Sequence, residues 1–597
     1  MTDKGLPMAQ SSDLPRYGSD LAVEVLLDEG IEHIALNPGA TIRGLHESIV
    51  HSSEHGGISM QLCSHEEIAV GFAHGYAKVT GRPMAVGIHD VVGLQHASMA
   101  IFNAWVDKAP IVIIGGTGPM QQAERRPRID WIHTAYLQGS LVRDYVKWET
   151  QVFGVESIES TLRRAVKAAT TRPYGPVYVC LDIADQEALV GPEDWMTFGS
   201  LTTSTAEPVA SPDEIAQVTR WLHEAEAPVV ITDHYNADAD TAAIQNLVDL
   251  CERWAIPVID THHRFNMPSQ HPLTLTEARK ELLASADLIL ALDVRDLYGA
   301  LRLRANDLNR GRARRAIPDH ARVVSIRTET VPRSSWVPDY YTAESVDHEV
   351  PVAGSSFVAG LLEAAKPSDA STIDRRRARL AQLRTDLEAS WQASAEAERD
   401  ATPIATSRLC AELGAIIDTE PDRWVVSNWG FVRQWPHRLW RFEPDGLAHI
   451  GTSGGGGLGY GLSASLGAAL ACKETGRYAL DVQGDGDLLY VTSALWTAAA
   501  YELPLLIVVH NNRTYYRDAK HQGAISDERG RGHSSVTTGI SITGPNVDYC
   551  GVARGHGVWA EEAVEDPSRL REALDRAVAH VQETGRPALV DVVSADQ

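Results

Sequence analysis

Two short polar loops in the last third of the chain, each directly after an apolar run, constrain the fold more than any other feature. The first is Gly484-Asp485-Gly486, after the run 478–482, and the second begins at Asn511-Asn512, after the run 505–510. A predicted helix at 493–501 joins them, and Asn512 follows Asp485 by 27 residues, the length of one strand-helix-strand crossover. Because such a crossover makes its two strands parallel, we expect both loops at the carboxyl edge of one sheet, where α/β proteins bind ligands.

Strand-length and helix-length segments alternate along the whole chain, which is typical of α/β proteins with parallel sheets. A chain of 597 residues is too long for one hydrophobic core. We therefore predict three consecutive α/β domains with parallel sheets. Their predicted ranges are 1–192, 205–365 (a degenerate Rossmann-like middle domain) and 401–597, with a linker at 191–208 and a helical connector at 366–400. The first turn of the middle domain lacks GxGxxG, which argues against a dinucleotide site there.

Apolar runs and capping residues also place the individual elements. The predicted strands are residues 31–36, 84–88, 110–114, 177–181, 228–231, 257–260, 286–292, 322–325, 424–427, 478–482, 505–510 and 588–593. The predicted helices include 19–29, with Ser19 as its N-cap, and 65–80, 98–106, 241–254 and 374–399.

Charge and composition exclude several classes of protein. The formal net charge is −25, so the chain is a poor candidate for binding nucleic acid or an anionic membrane. No apolar run approaches the roughly 20 residues that span a bilayer, and residues 1–15 lack the features of a secretory signal. The six cysteines are scattered without CxxC spacing, which favours reduced thiols. We therefore expect a cytoplasmic protein that binds neither nucleic acid nor membrane.

The two polar loops carry the ligands that a hard divalent cation requires. The Asp485 carboxylate, the Asn512 amide oxygen and the Thr514 backbone carbonyl, with two phosphate oxygens and a water, would complete a Mg²⁺ octahedron. Alone, the first loop is equally consistent with a tight turn, and the interval and flanking strands favour the metal site. Upstream, the glycine-rich run 451–461 leads into an Ala-rich helix, whose N-terminus accepts negative charge.

With these motifs in this order, the sequence resembles the thiamine-diphosphate (ThDP) enzymes of the acetolactate synthase and benzoylformate decarboxylase superfamily. The resemblance covers nearly the whole chain. It implies a pyrimidine-binding domain, a middle domain and a diphosphate-binding domain, with ThDP and Mg²⁺ as cofactors. The residues that it assigns to the diphosphate and its metal are Gly484, Asp485, Gly486, Asp487, Asn512 and Thr514.

The same resemblance assigns the residues around the pyrimidine ring. Glu66 matches the family glutamate that hydrogen-bonds N1′ and stabilises the imino tautomer of the ring. Gly456 matches the glycine whose carbonyl accepts the 4′-amino hydrogen, Leu458 matches the large apolar residue that bends the cofactor, and Gly39 is a further cofactor contact. Without the motif of the last domain, Glu66 would be interpreted as a charge that complements a helix N-terminus.

Residues 88–105 are similar to the loop and helix of benzoylformate decarboxylase that line its pocket, and His89 falls on or near the active-site histidine of that enzyme. A histidine there can relay protons as a catalytic group. Three further histidines either reach the same pocket or have ordinary surface or core roles. They are His96 and His133, which we count as catalytic candidates, and His271.

Two departures from benzoylformate decarboxylase bear on the substrate. Ala40 stands where that enzyme has a serine that touches the substrate carboxylate. Tyr516 and Arg517 belong to a segment that replaces an apolar pocket lining. Charge in such a lining is costly against a bound phenyl ring. These differences favour a small polar or anionic substrate over benzoylformate.

The resemblance implies an enzyme that cleaves or forms a C–C bond next to a carbonyl, most directly by decarboxylating a 2-oxo acid, with or without carboligation. Two alternatives stay open. One is a lyase of an acyloin, a cyclic diketone or a 2-hydroxyacyl-CoA, and the other is a non-catalytic ThDP-binding regulatory paralogue. Retention of Glu66 with Asp485 and Asn512 argues against the paralogue. Family active sites combine two chains, so a homodimer or homotetramer is expected.

The middle domain leaves a second ligand open. An arginine cluster there is either a solvated surface or a site for the phosphates of a CoA thioester or a nucleotide. Its members are Arg302, Arg304, Arg310, Arg312, Arg314 and Arg315. FAD, which acetolactate synthases use structurally, remains equally unsupported by the sequence.

Overall fold

The fold comes from a computed structural model, which describes residues 15–128, 132–191, 195–196, 199, 207–303, 313–329, 344–367, 369–430, 432 and 434–595. Most of the predicted linker at 191–208 lies outside these ranges, as do Arg304, Arg310 and Arg312 of the arginine cluster. Over the described ranges, no helix combines the length and the apolar character needed to cross a bilayer.

The first third of the chain forms a six-stranded sheet with helices between its strands. The strands are β1 (His33–Leu36), β2 (Ser59–Leu62), β3 (Met84–Ile88), β4 (Ile111–Thr117), β5 (Trp148–Gln151) and β6 (Val177–Asp182). The helices are α1 (Gly18–Asp28), α2 (Arg43–Glu54), α3 (Glu66–Thr80), α4 (Asp90–Val106), α5 (Ile158–Thr170) and α6 (Ile183–Glu187). Every residue of β3, β4 and β6 is buried, as expected for strands of a parallel sheet that is covered on both faces.

The middle of the chain forms a five-stranded sheet and a two-stranded ribbon. The strands are β7 (Pro228–Thr232), β8 (Val258–Asp260), β9 (Leu288–Leu292), β10 (Arg302–Leu303), β11 (Arg314–Arg315), β12 (Arg322–Ile326) and β13 (His348–Val350). The helices are α7 (Pro212–Glu224), α8 (Thr241–Trp254), α9 (Arg279–Ser285), α10 (Leu297–Ala300), α11 (Gly354–Ala364) and α12 (Ala370–Ala397). The long helix α12 corresponds to the predicted connector helix.

The last third forms a second six-stranded sheet. The strands are β14 (Trp424–Asn428), β15 (Ala448–His449), β16 (Tyr478–Gly484), β17 (Leu505–Asn511), β18 (Trp559–Ala560) and β19 (Ala588–Val593). The helices are α13 (Thr406–Ile417), α14 (Trp435–Leu439), α15 (Tyr460–Thr475), α16 (Asp485–Leu488), α17 (Ala494–Ala500), α18 (Tyr516–Glu528), α19 (Tyr549–Gly555) and α20 (Leu570–Thr584).

The three large sheets are parallel throughout, which confirms the predicted fold class. The first and third sheets share one topology, with orders β2-β1-β3-β4-β6-β5 and β15-β14-β16-β17-β19-β18, and the middle sheet has the order β13-β12-β9-β7-β8. The winding direction therefore reverses between β1 and β3, between β7 and β9, and between β14 and β16. Such topological switch points form the crevices in which open α/β sheets bind ligands.

Seven of the described strands are not predicted from the sequence: the two strands of the β10–β11 ribbon, and β2, β5, β13, β15 and β18 of the large sheets. Each has two to four residues and forms the edge of its sheet. An edge strand pairs on one side only and can be short and polar, so it need not show a long apolar run.

Two helix starts also differ from the prediction. The helix α1 begins at Gly18 after Tyr17, so Ser19 is not its N-cap; its Oγ instead accepts a hydrogen bond from the Ser48 hydroxyl in the interior. The helix α4 begins at Asp90 rather than near residue 98, and His96 is therefore a helical residue.

The chain divides into two compact units. The first contains the first sheet together with the glycine run from Ser453 onward, most of α15 and all of α17, and the second contains the middle and third sheets. The predicted domain boundaries stay predictions.

Within the first unit, α3 and α15 approach so closely that their backbones touch. A Cβ added to Gly75 would lie 1.8 Å from the Ala464 carbonyl oxygen, and one added to Gly71 would lie 2.4 Å from the Ser463 Cβ. These two glycines are four residues apart and therefore lie on one face of α3. Their small size is what permits the close packing.

We expect Gly75→Ala to lower the melting temperature, because the added methyl group overpacks a backbone contact at a cost of about 1–3 kcal/mol. Gly360→Ala in α11 is the matched control, since its added Cβ would meet only Ile215 Cδ1 at 3.6 Å. The control should be neutral or slightly stabilising, because alanine favours helix more than glycine does. Thermal unfolding followed by circular dichroism compares the two, and an unchanged melting temperature in Gly75→Ala would contradict the described contact.

Candidate active site

The two polar loops that the sequence singles out follow neighbouring strands of the third sheet. The strands β16 and β17 pair in parallel, with Gly484 opposite His510, so Asp485 and Asn512 leave the same edge of the sheet. Neighbouring strands lie about 4.8 Å apart. The crossover inferred from the 27-residue interval is confirmed, and the role of the two residues as metal ligands stays a prediction.

Local contacts hold the predicted ligands in place. The Tyr549 hydroxyl donates a hydrogen bond of 3.1 Å to the Asp485 carbonyl oxygen, and the Asn512 Oδ1 accepts one of 3.2 Å from the Thr514 amide. The backbone around Thr514 pairs with residues 540–542 through the Arg513 carbonyl and the Tyr515 amide. Neither of these two bonds uses the Thr514 carbonyl, the third predicted ligand.

Four buried aspartates lie on β16, α16 and β19, and two of them, Asp485 and Asp487, lie in and directly after the first polar loop. Asp481, Asp485, Asp487 and Asp591 are each at most 3% exposed. Burial, and secondarily the charge of Asp485, raises the pKa of Asp591 to about 7. Burial also raises the pKa of Asp481 well above its usual range, and the charge of Asp487 adds to that effect. Raised pKa values favour the neutral forms of Asp481 and Asp591, and the buried oxygen atoms of Asp485 are the hard donors that fit a divalent cation such as Mg²⁺.

The residues of the first loop have different positions and packing requirements. Gly484 is the last residue of β16, and Asp487 lies in the short helix α16. A Cβ added to Gly486 would lie 2.5 Å from Cε1 of the Tyr515 ring. This tyrosine follows the second loop, so Gly486 allows the two predicted cofactor loops to pack closely.

Glu66 is the first residue of α3 and is buried, with 7% of its surface exposed. His65 caps the helix through Nδ1, which accepts a hydrogen bond from the Glu67 amide at 3.2 Å. A Cβ added to Gly93 of α4 would lie 3.0 Å from the Glu66 Oε1, so this glycine leaves room for the carboxyl group. His96 Nδ1 lies 3.3 Å from the Glu66 Oε2. The structure thus brings together two of the predicted catalytic residues, Glu66 and His96.

The other two predicted catalytic residues, His89 and His133, form a second pair in the same unit. The His89 Nδ1 accepts a hydrogen bond from the Thr41 amide at 3.4 Å and lies 2.8 Å from the Thr41 hydroxyl oxygen. Because the amide can only donate, the neutral His89 ring carries its proton on Nε2. That nitrogen lies 3.1 Å from the His133 Nδ1, so His89 donates to His133.

His89 lies at the switch point of the first sheet, directly after β3. A Cβ added to Gly39, which follows β1, would lie 2.2 Å from the His89 Cβ, so the two loops are in contact. Ala40, a predicted pocket residue, begins the 3₁₀ turn Ala40–Ile42 immediately after Gly39. Thr41 belongs to this turn and has no motif in the sequence, and only the fold reveals its contact with His89.

The remaining pocket residues belong to the second unit. The His271 Nε2 lies 3.1 Å from the Glu252 carboxylate, and its Nδ1 accepts a hydrogen bond from the Leu273 amide. In α18, Tyr516 is half-buried and Arg517 is exposed, so the Arg517 charge is solvated within this chain. Their contribution to a substrate pocket stays a prediction.

Three members of the arginine cluster are described. Arg302 and Arg315 are paired across the β10–β11 ribbon, and both form ion pairs with the buried Glu344 carboxylate. Arg314 is exposed. Arg302 and Arg315 share one carboxylate within the protein, which gives these two a structural role, and a phosphate site among the remaining arginines stays a prediction.

Two models of one protein family match this chain. Residues 16–144 match the family model "Thiamine pyrophosphate enzyme, N-terminal TPP binding domain", and residues 429–592 match "Thiamine pyrophosphate enzyme, C-terminal TPP binding domain". The chain belongs to the thiamine pyrophosphate enzymes. The first range contains Glu66 and His89, and the second contains Asp485 and Asn512.

Relatives of this thiamine pyrophosphate enzyme have similar length. Benzoylformate decarboxylase of Pseudomonas aeruginosa is 27% identical over 545 residues, covering 88% of this chain and 90% of the relative. Acetolactate synthase isozyme 3 large subunit of Escherichia coli is 25% identical over 579 residues, covering 94% and 92%. The solved structure of a thiamine diphosphate-dependent 4-hydroxybenzoylformate decarboxylase from Rhodococcus jostii has a TM-score of 0.75 at 22% identity, covering 98% of this chain and all of that one. That structure shows the same fold.

We expect Asp485→Asn to weaken the uptake of ThDP in magnesium buffer by more than about tenfold, because the variant keeps an oxygen donor but loses the charge that holds the cation. Asp518→Asn is the matched control, since Asp518 is exposed in α18 beyond the second loop. Isothermal titration calorimetry with ThDP measures both variants. Equal affinities in the two variants would contradict the assignment of Asp485 as a metal ligand.

Proposed function

We propose that this enzyme is a ThDP- and Mg²⁺-dependent decarboxylase of 2-oxo acids, with or without transfer of the product to a second carbonyl. The observation that carries the proposal is the departure of Asp485 and Asn512 from neighbouring parallel strands at one edge of the third sheet. The names of the relatives, a benzoylformate decarboxylase and acetolactate synthases, support 2-oxo acids as the substrate class. Following the family pattern, we propose a homodimer or homotetramer as the active form.

The loops that follow β16 and β17 of the third sheet would bind the cofactor. Asp485, Asn512 and the Thr514 carbonyl would hold Mg²⁺, and the backbone of residues 484–487 would contact the diphosphate. When bound, ThDP supplies an electron sink for the bond that breaks next to the substrate carbonyl. The protein contributes binding, orientation and the placement of protons.

Glu66 would place a proton at the aminopyrimidine. Its carboxyl group is buried at the start of α3, with Gly93 leaving room beside Oε1 and His96 next to Oε2. Because the carboxyl group is largely shielded from bulk water, it would be available to hydrogen-bond N1′ of the cofactor.

His89 would hold a proton on Nε2 and would give it to the substrate when a substrate oxygen replaces His133 as the hydrogen-bond acceptor. Thr41 engages Nδ1 and so sets the tautomer, which leaves the proton on Nε2 and directs it toward His133. The pair would form a short relay, in which the half-buried His133 exchanges its proton with water. In this proposal His89 is the catalytic group and Thr41 positions it.

We expect Glu66→Gln to lower kcat by about 10²–10⁴-fold, because the amide cannot share the proton that general acid–base catalysis requires. Binding of ThDP should change much less, since the amide still hydrogen-bonds the ring. Glu67→Gln is the matched control on the same helix turn and should keep kcat within a fewfold. Steady-state decarboxylation assays measure kcat, and full turnover by Glu66→Gln would refute the role of Glu66.

Two classes of 2-oxo acid are candidate substrates, one with a small polar side chain and one with an aromatic side chain. Ala40 in place of the family serine, and Tyr516 in the segment that replaces the apolar pocket lining, support a small polar 2-oxo acid. The benzoylformate and 4-hydroxybenzoylformate decarboxylases among the similar proteins favour an aromatic one. The solvated charge of Arg517 is compatible with either candidate. We propose the small polar substrate.

We expect kcat/KM for small polar 2-oxo acids to exceed kcat/KM for benzoylformate by more than about tenfold. This ratio corresponds to about 1.4 kcal/mol of additional transition-state stabilisation. Pyruvate serves as the apolar control of the same size. Coupled decarboxylation assays with purified holoenzyme measure the ratio. A larger kcat/KM for benzoylformate would refute the polar substrate and leave 2-oxo acid decarboxylation intact.

A further inference from the structure

The glycine run before α15 has one side against α4 and one open side. A Cβ added to Gly455 would lie 2.4 Å from the Asn103 Oδ1, and one added to Gly457 would lie 2.3 Å from the Met99 Cε. Between them, Gly456 has a φ of +66°, and a Cβ there would meet no atom within 4 Å. The two outer glycines are thus required by the nearness of α4, and the middle one by its left-handed backbone.

Asn103 binds the backbone of this run at two points. Its Oδ1 accepts a hydrogen bond of 3.1 Å from the Gly457 amide, and its Nδ2 donates one of 3.4 Å to the Gly457 carbonyl. Asn103 is itself 2% exposed. A buried side-chain amide that engages both backbone groups of one residue fixes the position and the direction of the loop at that residue.

Asp107 binds the start of the same run. Its Oδ1 accepts a hydrogen bond of 2.8 Å from the Gly454 amide, and its Oδ2 lies 2.9 Å from the Lys78 ammonium and 3.1 Å from the His74 Nε2. Lys78 also donates to the Tyr460 hydroxyl at 3.0 Å, on the first residue of α15. Asp107, Lys78 and His74 are all buried, so water does not screen these contacts.

We infer that Asn103 and Asp107 are positioning residues for the cofactor loop. Four residues apart at the end of α4, they bind Gly457 and Gly454 and thereby fix Gly456, which lies between these two glycines, with its open side unobstructed. This inference rests on the proposed function, because Gly456 and Leu458 contact the aminopyrimidine only if the protein binds ThDP. Neither Asn103 nor Asp107 contacts the cofactor in this scheme, and both act through the loop backbone.

The test combines loop mobility in the apo protein with cofactor affinity. Asn103→Ala removes both hydrogen bonds to Gly457, whereas Asn103→Asp keeps the acceptor for the Gly457 amide and loses the donor. Gln138→Ala is the matched control, because Gln138 is equally buried in the first unit and donates to the Gly116 carbonyl and the Tyr178 hydroxyl, away from the loop. Hydrogen exchange of peptides over residues 451–459 measures mobility, and calorimetry in magnesium buffer measures ThDP binding.

We expect exchange over 451–459 to rise at least tenfold in Asn103→Ala and less in Asn103→Asp, while Gln138→Ala leaves it unchanged. The dissociation constant for ThDP should rise about 10–100-fold in Asn103→Ala, the size seen when supporting residues of a ligand site are removed. Asn103→Asp should lie between Asn103→Ala and the wild type.

Three results would overturn the inference. Unchanged exchange in Asn103→Ala would show that Asn103 does not anchor the loop. Faster exchange with wild-type ThDP affinity would show that the anchor does not serve the cofactor, and the proposed function would stand. Failure of the wild-type protein to bind ThDP would remove the proposed function together with this inference.

Discussion

Four buried aspartates on β16, α16 and β19 impose a constraint that the rest of the candidate site must satisfy. Burial disfavours the charged form of a carboxyl group and is the main cause of the raised pKa of Asp591, about 7, to which the charge of Asp485 adds. The divalent cation that we propose between the β16 and β17 loops would offset this cost. The Asn512 amide oxygen and the Thr514 carbonyl would supply what such a cation needs, namely further oxygen donors without further charge.

The three sheets make different use of equivalent positions. At the switch point of the first sheet, Gly39 and His89 are in contact, and at that of the third sheet β16 ends in the Gly484-Asp485 loop. At the switch point of the middle sheet, side chains of the protein itself pair with one another in the crevice. Buried Asp233 pairs with Arg295 at 2.9 Å, and the Asp293 carboxylate accepts a hydrogen bond of 2.8 Å from the amide of Gly354, the first residue of α11.

These contacts within the crevice bear on whether the middle domain can bind a phosphate. A phosphate at a helix N-terminus uses the free amides of the first turn. In α11, Asp293 already engages the first of these amides with a carboxylate. The absent GxGxxG and the occupied helix start therefore agree, and both argue against a dinucleotide in this crevice.

How much of the molecule the sequence predicts depends on how locally each feature is determined. The central strands follow from continuous apolar runs, and α3 matches the predicted helix 65–80 to within one residue. The neighbouring positions of Asp485 and Asn512 follow from the length of one crossover. The start of α4 is not predicted, because Asp90 enters the helix with a φ of +45° that no sequence pattern indicates. The contacts of His89 with Thr41 and His133 join residues 48 and 44 positions apart, and only the assembled sheet brings them together.

The glycine run illustrates the limit of sequence reasoning most clearly. The sequence predicts only that this run leads into a helix, whereas in the structure its glycines lie where neighbouring helices come close. Gly455 and Gly457 lie against α4, and α15, which follows the run, packs on α3 through Gly71 and Gly75. The helix that begins with Glu66 and the loop that contains Gly456 are therefore packed within one unit. Small residues here give rigidity, because they let backbones meet where side chains would keep them apart.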